Sequence, residues 1–340
     1  MAEIDIVKTQ LKTNITNDLL KGRSPHINEI MFKMAQVAPY EVNVLIRGET
    51  GCGKELVSKI IHFLSPRSQK PFIPVNCGAI PKELFENELF GHRKGAYTHA
   101  SNNQKGLIQS AQGGTLFLDE VESLPGAAQV KLLRFLEEKK YKPLGQSQYL
   151  SADVRIIAAA KENLWMMVKE KKFREDLFYR LNVFQIKLLP LRERQEDISV
   201  LAEFFIERYT LLYKKDVRGV TPQAMFKLLQ HEWPGNVREL ENVIRGAVIR
   251  NTSGYLQMDE IEINHFEDAP ENRQRPDESL LQPLRQAKNE LIKKFEKKYL
   301  SNLMLMNNGN ISKAAKFAKK ERSEFCRLLK KYDINANSYR

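Results

Sequence analysis

The chain has 340 residues, of which 42% are hydrophobic and 28% charged, a composition that excludes fibrous and fully disordered classes. No apolar run reaches the roughly 20 residues of a membrane span, and the first twenty residues lack a signal peptide's apolar segment, so we expect a cytoplasmic protein without a membrane partner. Of the net charge of +12, residues 285–340 carry +10, from 15 Lys and Arg against 5 Asp and Glu, which indicates a polyanionic partner such as nucleic acid.

Along the chain, residues 1–21 form a short polar segment, and residues 22–191 then alternate buried-strand runs with helical stretches. This alternation predicts an α/β domain with a parallel five-stranded sheet and helices on both faces. The five strand runs are Val42–Arg47, Pro71–Asn76, Thr115–Leu118, Val154–Ala159 and Val183–Leu188. From Gln195 onward the hydrophobic period is helical throughout, which predicts a helical subdomain over residues 192–266. Residues 267–283 are rich in proline and charge and predict a linker, and residues 284–340 predict an all-α domain.

The first strand run leads directly into a glycine-rich segment that is typical of a phosphate-binding loop. Its pattern is G-x-x-x-x-G-K, followed by an amphipathic helix from Leu56 to Leu64. Glycines let backbone N–H groups approach phosphate oxygens, and the following helix adds its positive end. We expect ATP to bind to Gly48, Glu49, Thr50, Gly51, Cys52, Gly53, Lys54 and Glu55. Glu55 replaces the usual magnesium-binding Ser or Thr, so the metal must be held elsewhere; the alternative is an ordinary strand-to-helix turn.

Two adjacent carboxylates follow the third strand run, in the sequence G-G-T-L-F-L-D-E. We expect Asp119 to hold Mg²⁺ and Glu120 to polarise the water that attacks the γ-phosphate of ATP. The alternative for such a pair is a helix cap. Together with Lys54, the pair favours a Mg²⁺-dependent ATPase.

These motifs together resemble the central AAA+ domain of bacterial enhancer-binding proteins, which activate sigma-54 RNA polymerase. The resemblance covers about residues 22–266 and also includes E-L-F-G-H at 88–92, F-R-E-D-L-F-Y-R-L-N-V at 173–183 and W-P-G-N-V-R-E-L-E-N at 233–242. Glu55 is also usual in this family. The short N-terminal segment resembles members without a receiver or sensor domain, which implies control by a separate regulatory protein.

The resemblance assigns roles to individual residues. Asn76 matches an asparagine that holds Glu120 away from the attacking water, and Arg238 matches the lid arginine that senses the nucleotide. Arg174 and Arg180 match arginines that reach the γ-phosphate of a neighbouring subunit, which implies a homohexamer, with dimers at low concentration. For each arginine the alternative is a surface ion pair with a nearby acid: Glu175, Asp176, Glu239 or Glu241.

The loop that grips the sigma factor in this family usually reads G-A-F-T-G-A. Here it comprises Gly95, Ala96, Tyr97, Thr98, His99 and Ala100. His99 replaces a glycine and adds bulk and a titratable ring. A second departure lies after the fourth strand run, where Ala160 and Lys161 replace polar residues that sense the γ-phosphate. Lys161 either takes over a phosphate contact or points outward.

The basic C-terminal region predicts two short helices, at 308–317 and 321–332, behind a longer one at 284–306. This arrangement resembles the Fis-type helix-turn-helix of enhancer-binding proteins, which implies binding to upstream enhancer DNA. The residues expected to contact DNA are Lys313, Arg322, Ser323, Arg327, Lys330 and Lys331. Lys319 replaces the usual glycine of the turn. The alternative is a basic helical hairpin that packs in the ring.

The sequence therefore predicts a sigma-54-dependent transcriptional activator, an ATP-hydrolysing ring that remodels the closed complex of the sigma-54 RNA polymerase holoenzyme. The alternative is a DNA-binding regulator that uses ATP binding for oligomerisation and represses or acts without sigma-54. The changed sensor residues and His99 favour the alternative, whereas the acid pair and both arginines favour the activator.

Overall fold

The computed structural model describes residues 20–96, 102–263 and 310–332, together with single positions between 288 and 307. The chain divides into two compact units, Met1–Ile263 and Asn264–Arg340. The predicted linker at 267–283 lies outside the described residues. Across the part of the chain that the structure describes, no helix is both long and apolar enough to cross a bilayer.

The elements of the first unit follow the predicted alternation. Its strands are β1 (Val44–Arg47), β2 (Phe72–Asn76), β3 (Gly91–His92), β4 (Gln104–Lys105), β5 (Thr115–Asp119), β6 (Lys140–Tyr141), β7 (Leu150–Ser151), β8 (Arg155–Ala160), β9 (Phe184–Lys187), β10 (Gly219–Val220) and β11 (Tyr255–Leu256). Its α-helices are α1 (Pro25–Val37), α2 (Lys54–Leu64), α3 (Lys82–Phe90), α4 (Leu107–Ser110), α5 (Gly126–Glu138), α6 (Leu164–Lys169), α7 (Glu175–Leu181), α8 (Glu196–Tyr213), α9 (Pro222–Gln230) and α10 (Asn236–Arg250).

The central sheet has five parallel strands, as the sequence predicts, and the structure gives their order as β2-β5-β8-β1-β9. The predicted strand bounds are each within two residues of the observed ones. Because the strands are parallel, all five carboxyl ends meet at one edge. The loop after β1 therefore lies near the acids that end β5, with only the end of β8 between them.

Side chains alternate between the two faces of the sheet, so each face has its own apolar core. Leu45 of β1 and Ile156 of β8 point to a core that includes Phe85 and Phe135 from the helices. Val44 and Ile46 point to the other core, which is completed by helices α1 and α2. This burial on both faces explains why the central strands β1, β5 and β8 are largely apolar, whereas the edge strands β2 and β9 include exposed residues.

The segment from residue 191 to 263 forms a helical lid around a third core, in which Trp233 is fully buried. The expectation of helical structure throughout this segment is wrong in one detail. Strands β10 and β11 form a short parallel pair, with Gly219 opposite Tyr255 and Val220 opposite Leu256. Such two-residue strands are too short to leave a period in the sequence.

The second unit contains α11 (Ile311–Phe317) and α12 (Arg322–Lys331). Described positions between 288 and 304 are helical, in line with the predicted longer helix. Ala314 and Ala315 are buried beside Phe325 and Leu329, so the small side chains let the helices approach closely. Lys319, in the turn, has a φ of +50°, a left-handed conformation that glycine adopts more easily.

Candidate active site

The loop between β1 and α2 has the backbone of a phosphate-binding loop. Gly51 and Gly53 have φ values of +80° and +100°, which side-chain-bearing residues rarely adopt. Lys54 is only 8% exposed, and its Nζ donates to the carbonyl oxygens of Gly48 (2.9 Å) and Glu49 (3.2 Å). The ammonium group is thus held over the loop, where phosphate oxygens can replace these carbonyls as its acceptors.

The acid pair lies at the end of β5. Burial raises the pKa of Asp119, and the positive charge of Lys54 opposes this increase. Glu120 has a left-handed backbone (φ +54°, ψ +48°), and its N–H donates to Asp119 Oδ1 at 3.0 Å. A non-glycine residue in this conformation is strained, and such strain is concentrated at functional sites.

Asn76 and Glu120 approach each other at Gly78. Asn76 is paired with Asp119 in the sheet, and its side-chain oxygen accepts from the N–H groups of Gly78 (2.8 Å) and Ala79 (3.0 Å). A Cβ atom on residue 78 would lie 2.3 Å from Glu120 Oε2 and 3.3 Å from Asn76 Oδ1. Both side chains therefore pack against this glycine, which leaves no room for a side chain of its own.

Lys161 follows β8, between the phosphate loop and the acids. Its backbone N–H donates to Glu122 Oε1 at 2.9 Å, and Gly48 N–H donates to the carbonyl of Ala160 at 3.2 Å. Its side chain is exposed, and its charge contributes to lowering the pKa of Glu49.

The lid contacts the phosphate loop directly. A Cβ atom on Gly51 would lie 2.2 Å from the carbonyl oxygen of Gly235, so only glycine permits this approach. The N–H of Val237 donates to the Gly51 carbonyl at 3.1 Å. Arg238, the predicted sensing arginine, follows in α10, and its Cβ would lie 3.2 Å from a Cβ on Gly51.

Asn236 is the buried centre of this contact. It is fully buried, has a left-handed φ of +54°, and its Nδ2 donates to Thr50 O (3.0 Å) and Glu49 Oε2 (3.2 Å). Its Oδ1 accepts from the N–H of Leu191 at 2.8 Å. One side chain thus joins the phosphate loop, the start of the lid and helix α10.

A second link joins Glu49 to Arg192. The guanidinium donates to both carboxylate oxygens, at 2.5 and 2.8 Å, and lowers the pKa of Glu49 to about 2. Sequence reasoning assigned no role to Arg192 or Asn236, although W-P-G-N is among the motifs that carry the resemblance. The two residues are identified only by contacts over more than 140 positions of sequence.

The remaining nucleotide-site arginines are exposed and bound to nearby acids. Arg174 pairs with Asp176 (2.7 Å) and Arg180 with Glu137 (3.5 Å). Arg174 thus makes one of the surface ion pairs of the alternative interpretation, whereas the partner of Arg180, Glu137, is not among the acids expected for it. Such pairs stabilise a protein little and are easily exchanged for a stronger anion.

The predicted sigma-factor loop is described only at its first two residues. Ala96 N–H donates to the Arg93 carbonyl at 3.0 Å, and Ala96 packs against Gly145. Tyr97, Thr98, His99 and Ala100 lie outside the described residues.

In the second unit, all six predicted DNA-contacting side chains are exposed. Helix α12 presents Arg322, Ser323, Arg327, Lys330 and Lys331, and Lys313 lies on α11. Asn310 caps α11, its side chain accepting from Lys313 N–H at 3.1 Å.

Comparison with known families matches two models to this chain. Residues 20–187 match the sigma-54 interaction domain, and residues 192–279 match an AAA+ ATPase lid domain. The two segments correspond to the sheet with its helices and to the lid.

Individual relatives agree with these matches. The chain is 41% identical over 318 residues to the transcriptional regulatory protein GlrR of Escherichia coli K12, covering 94% of this chain and 69% of that protein. It is 46% identical over 240 residues to the transcriptional regulatory protein ZraR of the same strain, covering 71% of this chain and 54% of ZraR. The structure of NtrX from Brucella abortus in complex with ATP superimposes with a TM-score of 0.68 at 33% identity, covering 98% of this chain and 74% of that chain. The comparisons favour the activator over the alternative regulator that acts without sigma-54.

Proposed function

The chain belongs to the family of sigma-54-dependent transcriptional regulators with an AAA+ ATPase core, and we propose that it assembles into a homohexameric ring that hydrolyses ATP to remodel the closed complex of sigma-54 RNA polymerase. One observation carries this proposal: the Lys54 loop, the Asp119–Glu120 pair and the lid converge at one edge of the sheet. A module that only bound nucleotide would have no use for a strained second acid beside Asp119.

In this proposal the residues divide the chemistry as follows. Lys54 exchanges its two loop carbonyls for oxygens of the β- and γ-phosphates. Glu120 orients and polarises the attacking water, and Asn76, which shares the Gly78 contact, sets the position of its carboxylate. We also propose that Lys161, exposed after the end of β8, contacts the γ-phosphate rather than pointing outward, because its charge already makes a small contribution to lowering the pKa of the phosphate-loop residue Glu49.

The donor set also fits Mg²⁺. The described residues contain no cluster of three metal-binding side chains, and Glu55 is ion-paired with Lys59 at 2.7 Å. Magnesium in nucleotide sites commonly takes one or two carboxylates and completes its coordination with phosphate oxygens and water. Asp119 is the carboxylate that fits, since burial makes its negative charge costly without a nearby cation. Bound Mg²⁺ would neutralise charge on the phosphates.

The ring is part of the proposal because the guanidinium groups of Arg174 and Arg180 are exposed and, within the described part of their own chain, pair only with the surface acids Asp176 and Glu137. In the proposal each leaves its weak surface partner and supplies a guanidinium to the γ-phosphate of the neighbouring subunit. Hydrolysis would then occur only where two subunits meet. The chain would form dimers at low protein concentration and the hexameric ring at higher concentration.

The second unit would attach the ring to upstream DNA. Its six exposed DNA-contacting candidates include five cations, and α12 has the length and exposure for entry into a major groove. Affinity for duplex DNA should fall steeply with salt, and removal of residues 284–340 should abolish it.

The proposal is tested by open-complex formation at a sigma-54 promoter in vitro. Wild type should open the promoter with ATP and fail with a non-hydrolysable analogue. The Lys54→Ala variant should neither bind nucleotide nor open the promoter, whereas Lys70→Ala, an exposed lysine at the opposite end of the sheet, should behave as wild type. Equal opening with ATP and the analogue would refute an activity driven by hydrolysis.

A further inference from the structure

A cavity of about 390 Å³ lies beside the base of the sigma-factor loop and is separate from the nucleotide site. It is bounded by the end of α3, by α5 and by the hairpin β6–β7. Phe90 and Tyr141, both at most 5% exposed, supply apolar surface, and the 55% exposed Tyr149 supplies a second aromatic ring. Pockets of this volume accommodate a small ligand.

All charged side chains that line the cavity are positive. Its lining includes four cations and no carboxylate: Lys131, Arg134, Lys140 and Lys142. Lys131 pairs with Glu86 and lies 5.8 Å from the centre of the Phe90 ring. Among the described residues, Arg134, Lys140 and Lys142 have no ion-pair partner, so three cations face this cavity without a counter-charge.

Hydrogen bonds and a packing contact connect the cavity to the start of the sigma-factor loop. Leu144, at the hairpin tip, donates to the Gly91 carbonyl (2.9 Å) and accepts from Arg93 N–H (3.0 Å). Gly145 adopts a φ of +74°, and a Cβ there would lie 2.8 Å from Ala96 Cβ. Leu144 and Gly145 line the cavity, so a ligand there would touch residues that directly contact Ala96 and the segment before the sigma-factor loop.

We propose that this cavity binds a nucleotide of single-stranded DNA, with its cations on the phosphate and Tyr149 stacked on the base. Unpaired cations combined with an exposed aromatic ring are the pattern by which proteins hold single strands without sequence preference. An acidic peptide would use the cations but leave the aromatic ring without a flat partner. The assignment rests on the proposed function, since a promoter being opened supplies a single strand next to the sigma-factor loop.

The test is a titration of the full-length chain with a short fluorescein-labelled oligodeoxythymidylate, without ATP. Lys142→Glu should weaken binding by about tenfold and reduce the slope of log affinity against log salt by about 0.7 per lost phosphate contact. Tyr149→Ala should weaken binding by about tenfold with the salt slope unchanged, and Tyr149→Phe should restore it. The matched control is Lys70→Glu, which changes net charge equally at an exposed position away from the cavity.

Because the second unit is itself expected to bind DNA, every protein in the comparison also carries Arg327→Glu and Lys330→Glu, which reverse two exposed charges of that unit and leave the cavity unchanged. Equal affinities of Lys142→Glu and Lys70→Glu would overturn the proposal. So would a result in which Lys142→Glu weakens binding of a labelled oligoglutamate but not of the oligonucleotide, because the occupant would then be an acidic peptide. Thermal unfolding of each variant shows whether it is folded, so that a loss of binding is not caused by a loss of structure. Since the titration uses neither ATP nor promoter, its outcome is independent of whether the ring opens promoters.

Discussion

Replacing Asn236 is the most direct test of the contact between the lid and the phosphate loop. In the Asn236→Ala variant the N–H of Leu191 loses its acceptor, and Leu191 is fully buried. The carbonyl of Thr50 and the carboxylate of Glu49 also lose a donor, but Thr50 is exposed to water and Glu49 keeps both hydrogen bonds from Arg192. Only the first loss should therefore be costly.

The expected magnitude follows from two terms. A buried N–H without a partner costs about 2 kcal/mol. Alanine at a φ of +54° costs about 1 kcal/mol more, because its Cβ is crowded in the left-handed conformation that asparagine tolerates. Asn236→Ala should thus lower the free energy of lid unfolding by about 3 kcal/mol. Asn236→Gly removes the same hydrogen bonds, but glycine adopts a left-handed φ without strain. This variant should therefore lower the free energy of lid unfolding by only about 2 kcal/mol.

Urea unfolding followed by tryptophan fluorescence can measure these differences. The chain has two tryptophans, and in a Trp165→Phe background the emission reports Trp233, which is buried in the lid core three residues before Asn236. ATP affinity is measured on the same proteins. If both variants unfold within about 0.5 kcal/mol of the parent, or if alanine and glycine are indistinguishable, the reasoning from Leu191 and from the backbone is wrong.

The other predictions concern turnover and pH. Glu120→Gln should bind ATP as wild type does but hydrolyse it at least about 100-fold more slowly, since the water-polarising carboxylate is gone; near-normal turnover would remove Glu120 from this role. Arg174→Ala or Arg180→Ala should abolish hydrolysis in the ring while sparing ATP binding, whereas Arg218→Ala, which breaks a more exposed ion pair in the lid, should change neither hydrolysis nor binding. Normal turnover in both Arg174→Ala and Arg180→Ala would contradict the assignment of these arginines to the neighbouring subunit's site. Because the pKa of Glu49 falls from 4.5 to about 2 in the folded protein, its stabilisation is present above about pH 4.5 and is lost as pH falls towards 2; Glu49→Gln should lack this acid dependence in urea unfolding, and an identical profile would argue against the ion pair.

The sheet was predictable because its determinants are local. The three central strands β5, β8 and β1 are short runs buried on both faces, and a strict alternation with helices leaves a parallel order as the simplest arrangement. The glycine-rich loop and the G-G-T-L-F-L-D-E strand each carry their own signal, so their meeting at one edge follows from parallel topology. The pairs β3–β4, β6–β7 and β10–β11 were not predicted, because two residues cannot show a period.

The lid contact could not be derived in the same way. Asn236 and Glu49 are 187 positions apart, and neither an asparagine nor a glutamate in the sequence predicts a contact over that separation. The left-handed backbone of Asn236 depends on tertiary packing rather than on its neighbours in sequence. Gly51 illustrates the same limit: its sequence context indicates a phosphate loop, while the structure shows that it must also admit the Gly235 carbonyl.

The contacts of Glu49 give the lid a role in preparing the phosphate loop. An ionised carboxylate in a loop that receives a polyphosphate would repel its ligand unless its charge were balanced. Arg192 provides that balance through two hydrogen bonds, and Asn236 donates a third. Since both partners belong to the segment that begins the lid and its last helix, the loop is electrostatically ready for phosphate only when the lid is seated. A displacement of the lid would expose the charge of Glu49 and remove the side-chain amide of Asn236 from the Thr50 carbonyl, so we expect lid position and nucleotide affinity to be coupled through Glu49, Arg192 and Asn236.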